Sequence, residues 1–131
     1  MIVVDSSAAL DYVLGERERA RWVEMELERG GWDLHAPHVL DIEVVATLRR
    51  IALAGRIRPA LARRALDVVA DLRLQRYPHV HLVDRMWALR DSVHPPDSAF
   101  VALAEALDAP LVTTDRRLAR SHGHRAEIVA P

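Results

Sequence analysis

A chain of 131 residues, half hydrophobic and 28% charged, can bury one globular core and is too apolar to be disordered. No apolar run approaches the ~20 residues of a membrane span and no basic-then-apolar leader opens the chain, so a cytoplasmic protein with no membrane partner is expected. Cysteine is absent and all 18 basic residues are arginine, which excludes thiol nucleophiles, thiolate zinc sites, P-loops and Schiff-base lysines, and a net charge of −1 leaves nucleic-acid binding to local arginines or a bridging metal.

No repeat, low-complexity tract or linker divides the sequence, and a single domain over residues 1–131 is predicted. Residues 2–4 read as an apolar strand stopping at Asp5, after which Ser6 or Ser7 would cap a short helix to about Leu14. Residues 16–29 are helical and end at Gly30-Gly31; Leu34 to Ala36 form a short strand before Pro37. A strong helix runs from about Val39 to Ala54, with Gly55 ending it. Pro59 suits the first turn of the next helix, where Leu61, Ala65, Val68, Val69 and Leu72 share a face. His79 to Val83 alternate as a strand ending at Asp84, and a short helix covers Met86 to about Asp91. Pro95-Pro96 break the chain, and Asp97 opens a helix with a stripe of Phe100, Leu103, Ala104 and Leu107. Leu111 to Thr114 is a strand ending at Asp115, a short basic helix follows, and Glu127 to Val129 closes the sheet. Strands alternating with helices predict an α/β fold: a mostly parallel central sheet with helices on both faces.

The placement of the acids carries the functional information. In an open parallel sheet, ligands bind outside the carboxyl ends of the strands. Asp5 and Asp115 each end an apolar strand at that edge, and the helices bearing Glu43 and opening with Asp97 begin there. Several carboxylates in one small volume require raised pKa values or a cation, and without lysine or a Cys-His cluster the cation indicated is a hard divalent metal, Mg²⁺ or Mn²⁺. Carboxylates holding such ions are a general device for phosphodiester cleavage. Each acid also has a structural reading: Asp5, Asp97 and Asp115 are good helix caps, as is Asp84. Asp41 and Glu43 lie about 200° apart around their helix, both flanking the stripe of Leu40, Val44, Leu48 and Ile51, so periodicity does not choose between them. His35 and His38 sit too close to Pro37 for a metal pair, His79 and His81 share a strand face without a third ligand, and His122 and His124 read as solvated loop.

The segments MIVVDSSAAL (1–10), HAPHVLDIEVVATLRR (35–50) and DSAFVALAEALDAPLVTTDRRLA (97–119) together resemble the PIN-domain ribonucleases, and within them the VapC-type toxins of bacterial toxin–antitoxin pairs. The resemblance spans nearly the whole chain, and its last segment is the most specific. It implies a PIN-like domain and an acidic set falling on Asp5, Glu43, Asp97 and Asp115 as metal ligands and catalytic residues, choosing Glu43 over Asp41. It further implies a Mg²⁺- or Mn²⁺-dependent endoribonuclease that arrests translation, a homodimer, and inhibition by a cognate antitoxin that wraps the toxin near the acidic groove. Two positions depart from the pattern: Ala46 stands where many relatives carry Asn, and Pro96 where an aromatic commonly precedes the aspartate. Val39, Ile42, Ala46 and Leu53 make the 39–54 helix apolar on a second side, which a partner subunit, the antitoxin or another helix of the chain would cover.

Two other classes compete with an RNA hydrolase. One is a catalytically weak protein-binding module that keeps the fold without turnover; the other is a metal-dependent DNase on the same scaffold. The presence of all four acids disfavours the first and the shortness of the chain disfavours the second.

Overall fold

The computed structural model describes all 131 residues. Its strands are β1 (Ile2–Val4), β2 (Leu34–Pro37), β3 (Leu74–Tyr77), β4 (Leu111–Val112) and β5 (Ile128–Val129), pairing in parallel throughout in the order β3-β2-β1-β4-β5. Every residue of β1, β2 and β4 is buried, as parallel strands covered on both faces require. The helices are α1 (Ser6–Leu14), α2 (Arg17–Arg29), α3 (Val39–Leu53), α4 (Pro59–Asp71), α5 (Val83–Ala88), α6 (Asp97–Leu107) and α7 (Arg116–Ala119). Right-handed crossovers from β1 to β2 to β3 put α1–α4 on one face of the sheet, and the return to β4 puts α5 and α6 on the other. The packing agrees: α1 contacts α2, α3 and α4, while α6 contacts α5 and lies on β1, β2 and β4.

The predicted α/β class, the parallel sheet and its two helical layers are therefore present. One strand is misplaced: His79–Leu82 is a 3-10 turn leading directly into α5, and the edge strand lies upstream at Leu74–Tyr77. The alternation of His79–Leu82 (His-Val-His-Leu) is the stronger strand pattern, since Leu74–Tyr77 reads Leu-Gln-Arg-Tyr with two polar residues together. Pro78 between them decides the matter, since it has no N–H for a ladder and its φ of −61° starts the turn. His79 and His81 consequently share no strand face, and Asp84 lies in the first turn of α5 instead of ending a strand. The helix after it spans Val83–Ala88, earlier than the predicted 86–91. On α4 the buried positions are Ala62, Ala65 and Val69, with Leu61 and Val68 each 41% exposed, so the apolar face is rotated from the predicted one. On α6 the whole run from Ser98 to Ala104 is buried, because a helix lying across three strands beneath α5 presents no free side.

A partly buried ion pair ties the last part of the chain to α6. The Arg85 guanidinium donates to both Glu105 carboxylate oxygens at 2.6 and 2.8 Å, and the Arg125 backbone N–H donates to one of them at 2.7 Å. These bonds hold the Glu105 pKa down at about 2, against 4.5 ordinarily. A depressed carboxyl pKa stabilises the fold above the unfolded value, and that contribution is lost as pH falls from about 4.5 towards 2. Glu105→Gln is expected to cost about 2 kcal/mol at pH 7, the shift being discounted for the half-exposed arginine, and nothing near pH 2. Urea unfolding of both chains across that range measures it; a cost independent of pH would assign the loss to packing instead.

Candidate functional site

The strand order changes direction between β1 and β4: crossovers leave β1 towards β2 on one side and arrive at β4 from the other. The crevice beyond the carboxyl ends at such a switch point is where open α/β sheets bind ligands. Asp5 follows β1 and Asp115 lies three residues past β4, with the Asp5 N–H bonded to the Val112 carbonyl at 3.2 Å. The start of α3 brings Glu43 to this rim, and α6 begins with Asp97.

Asp5 is 4% exposed and is held on every side. Its Oδ1 accepts from the Ala8 N–H at 2.7 Å, making Asp5, and not Ser6 or Ser7, the cap of α1. Its Oδ2 accepts from the Thr113 hydroxyl at 2.6 Å, and the Ser7 hydroxyl reaches both oxygens at 2.8 and 2.9 Å. Burial nevertheless pushes the Asp5 pKa up to about 7; the bonds from Thr113, Ala8 and Ser7 oppose the rise and the nearby Asp97 charge adds to it. Capping and a site role are thus compatible for this residue.

Glu43 and Asp41 separate cleanly. Asp41 pairs bidentately with Arg76 of β3 at 2.7 and 2.9 Å, turned to the sheet edge. Glu43 is half-buried at the rim, where its Oε2 accepts from the Ser6 hydroxyl at 2.9 Å. Its pKa is raised, first by burial and then by the charges of Asp97 and Asp115. Asp97 is the first residue of α6 but does not cap it, since the cap position is Pro96 and no side chain bonds the helix end. The half-buried Asp97 carboxylate accepts no hydrogen bond from the protein, and its pKa is raised by burial and by Asp115, against the pull of Arg117 and His94. Asp115 does cap α7, its Oδ1 accepting from the N–H groups of Arg117 and Leu118 at 2.7 and 3.4 Å, while its Oδ2 lies 3.8 Å from the Arg117 guanidinium.

The four acids therefore share one electrostatic field at the switch point. They do not form a preassembled cage, since no three His, Asp or Glu side chains of the chain stand close enough to hold one ion as they are. The oxygen-only donor set and the mutual repulsion fit a hard divalent cation. Three supporting hydroxyls escaped the sequence reading: Ser6 on Glu43, and Ser7 and Thr113 on Asp5. Their positions one and two residues after the first aspartate, and two before the last, were the available clue. The adjacent arginines after Asp115 diverge: Arg117 lies 3.8 Å from Asp115 and its charge reaches Asp97, and Arg116 lines a groove beside α7.

Residues 2–122 match the model of the PIN domain family. Ribonuclease VapC9 of Mycobacterium tuberculosis is 42% identical over 118 residues, covering 90% of this chain and 88% of its own. Ribonuclease VapC1 of the same organism is 42% identical over 127 residues, covering 96% and 94%. Among solved structures, VapBC2 from Rickettsia felis, bound to a DNA fragment from its promoter, superposes with a TM-score of 0.70 at 13% identity over 99% of this chain and 98% of that one.

Proposed function

The chain belongs to the PIN-domain family, and on that premise we propose that it is a metal-dependent endoribonuclease serving as the toxin of a toxin–antitoxin pair in the cytoplasm. The observation that carries the reading is the Asp97 carboxylate, half-buried among like charges without a donor of its own. A cation bound there would relieve the repulsion with Asp115 that Arg117 and His94 only partly offset. Asp5, Glu43, Asp97 and Asp115 would hold Mg²⁺ or Mn²⁺, which supplies polarisation of the phosphodiester and activation of water.

The chain's own groups supply the rest. Ser7, Thr113 and the Ala8 N–H fix the Asp5 carboxylate, so its orientation costs no reorganisation when substrate arrives. The Ser6 hydroxyl donates to one oxygen of Glu43 and leaves the other free for the metal, while one of the four carboxylates would orient or deprotonate the attacking water. Arg117 offers its charge to the phosphate being cleaved.

Two surfaces support protein partners. The outer side of α3 is uncovered by any helix of the chain: Ile42 is 69% and Leu53 72% exposed. Val39 packs against the chain's own core, while Ile42, Ala46 and Leu53 stay exposed, which supports a second subunit over that part of the face. A groove among α1, α2 and α4, lined by Tyr12, Val13, Met25 and Val68 with Arg17, Arg21, Glu24 and Glu28, is suited to an antitoxin segment with an apolar side and charges of both signs.

Single-stranded RNA and DNA of one sequence, incubated with Mn²⁺ and then with excess chelator, test the function. Cleavage of RNA alone, stopped by chelator, is the expected result. Cleavage of DNA at a comparable rate would favour the DNase, and binding of a partner without cleavage of either would favour the protein-binding module.

A further inference from the structure

Beside the acids, at the carboxyl edge of β4 and β5, a groove of about 530 Å³ runs between α2, α7 and the last two residues. Arg19, Arg116 and Arg120 line it together with the half-buried Trp22, which also packs against the hydrophobic core. Arg116 and Arg120 make no ion pair, and Arg19 has only a 3.5 Å contact with Asp11. The groove is joined to the acidic site through Thr114, whose N–H donates to Ser7 Oγ at 3.0 Å, the same hydroxyl that bonds Asp5. Glu16 and Glu18 stand on its rim.

Free guanidinium groups suit phosphates, and an aromatic face stacks any unpaired base. The two glutamates disfavour a purely electrostatic track but accept hydrogen bonds from base N–H groups. We infer that this groove is a substrate subsite for single-stranded RNA, in which Trp22 stacks an unpaired base flanking the cleaved bond while Arg116 and Arg120 hold its phosphates. The inference rests on the ribonuclease reading, yet binding here needs no chemistry and is measurable apart from it. Trp22 and the arginines act as binding residues, so their loss is expected in KM and not in kcat.

The probe is a mixed-sequence oligoribonucleotide of about 10 nucleotides, within the usual span of single-strand sites. It is titrated with Mg²⁺ into an Asp97→Asn chain, which leaves it intact, whose Trp32 and Trp87 are Phe, so that Trp22 alone reports. Quenching of Trp22 is expected. Trp22→Ala should weaken binding about tenfold, with Trp22→Phe restoring most of it as a control for folding. Arg116→Ala with Arg120→Ala, both on exposed positions, should weaken binding and lower the salt slope by about 0.7 for each phosphate no longer neutralised. Unchanged affinity and slope in these variants would overturn the subsite, as would Trp22 quenching by poly-glutamate and not by RNA. A chain that keeps Asp97, with Trp32 and Trp87 as Phe, and binds RNA through Trp22 but cleaves none would support the groove and overturn only the ribonuclease reading.

Discussion

The metal-free protein is expected to lose stability as the pH rises from about 4 to about 7, the reverse of what most carboxylates impose. Asp5 has its pKa pushed from 3.8 to about 7, so over that window the folded chain holds a proton that the unfolded chain has released. Stability then falls with pH at about 1.4 kcal/mol per unit, or roughly 4 kcal/mol in all. The raised pKa values of Glu43 and Asp97 act in the same direction. Glu105 acts in the opposite one, but its window lies lower, from about 2 to 4.5. The two windows meet near pH 4–5, where the apo protein should be most stable. Saturating Mn²⁺, held by the deprotonated carboxylates as proposed, should move that optimum upwards by stabilising the form that repulsion penalises. Asp5→Asn keeps an oxygen for the Ala8 N–H, carries no charge, and should remove most of the slope. Chemical unfolding at half-unit pH steps with chelator measures all of this; an apo stability that is flat or rising between pH 4 and 7 would contradict the buried-acid account.

Much of this was legible in the sequence because it depends on periodicity and on which strand end a residue occupies. Asp5 and Asp115 lie where apolar runs stop, and a parallel sheet brings such ends to one edge. What was illegible depends on contacts between distant segments. The local pattern favours the wrong edge strand, because His79–Leu82 alternates and Leu74–Tyr77 does not; the choice is made by Pro78 and by four residues of register against β2. The helical period left Asp41 and Glu43 undecided, since the deciding partner of Asp41 is Arg76, 35 residues away on β3. The cap reading of Asp97 was reasonable after two prolines, yet its place as the first residue within the helix leaves its carboxylate free of the backbone. Single-residue offsets of this kind lie below the resolution of pattern reading.

Asp97→Asn is expected to leave the metal-free protein as stable as wild type or more so, to abolish most of its stabilisation by Mn²⁺, and to lower RNA cleavage by at least about 100-fold. The carboxylate bonds no backbone N–H, so no cap is lost, and the substitution relieves its repulsion with Asp115, Glu43 and Asp5. In the wild type, Mn²⁺ at about 100 times its dissociation constant should add about 2.7 kcal/mol, a gain tied to the folded gathering of the acids. Asp115 provides the contrast, because it does cap α7 through Oδ1. Asp115→Ala should therefore cost the apo protein about 0.5–2 kcal/mol, whereas Asp115→Asn, which can still accept those bonds, should cost little. Both Asp115 variants should lose the Mn²⁺ response, since a cap and a ligand are separate demands on one side chain. Glu43→Gln keeps an oxygen for Ser6 and should behave as Asp97→Asn does. Melting of the four amide variants and Asp115→Ala, each with chelator and with Mn²⁺, separates the roles. If the amide variants are destabilised without metal and keep the wild-type gain with it, the acids are structural and the shared site does not exist.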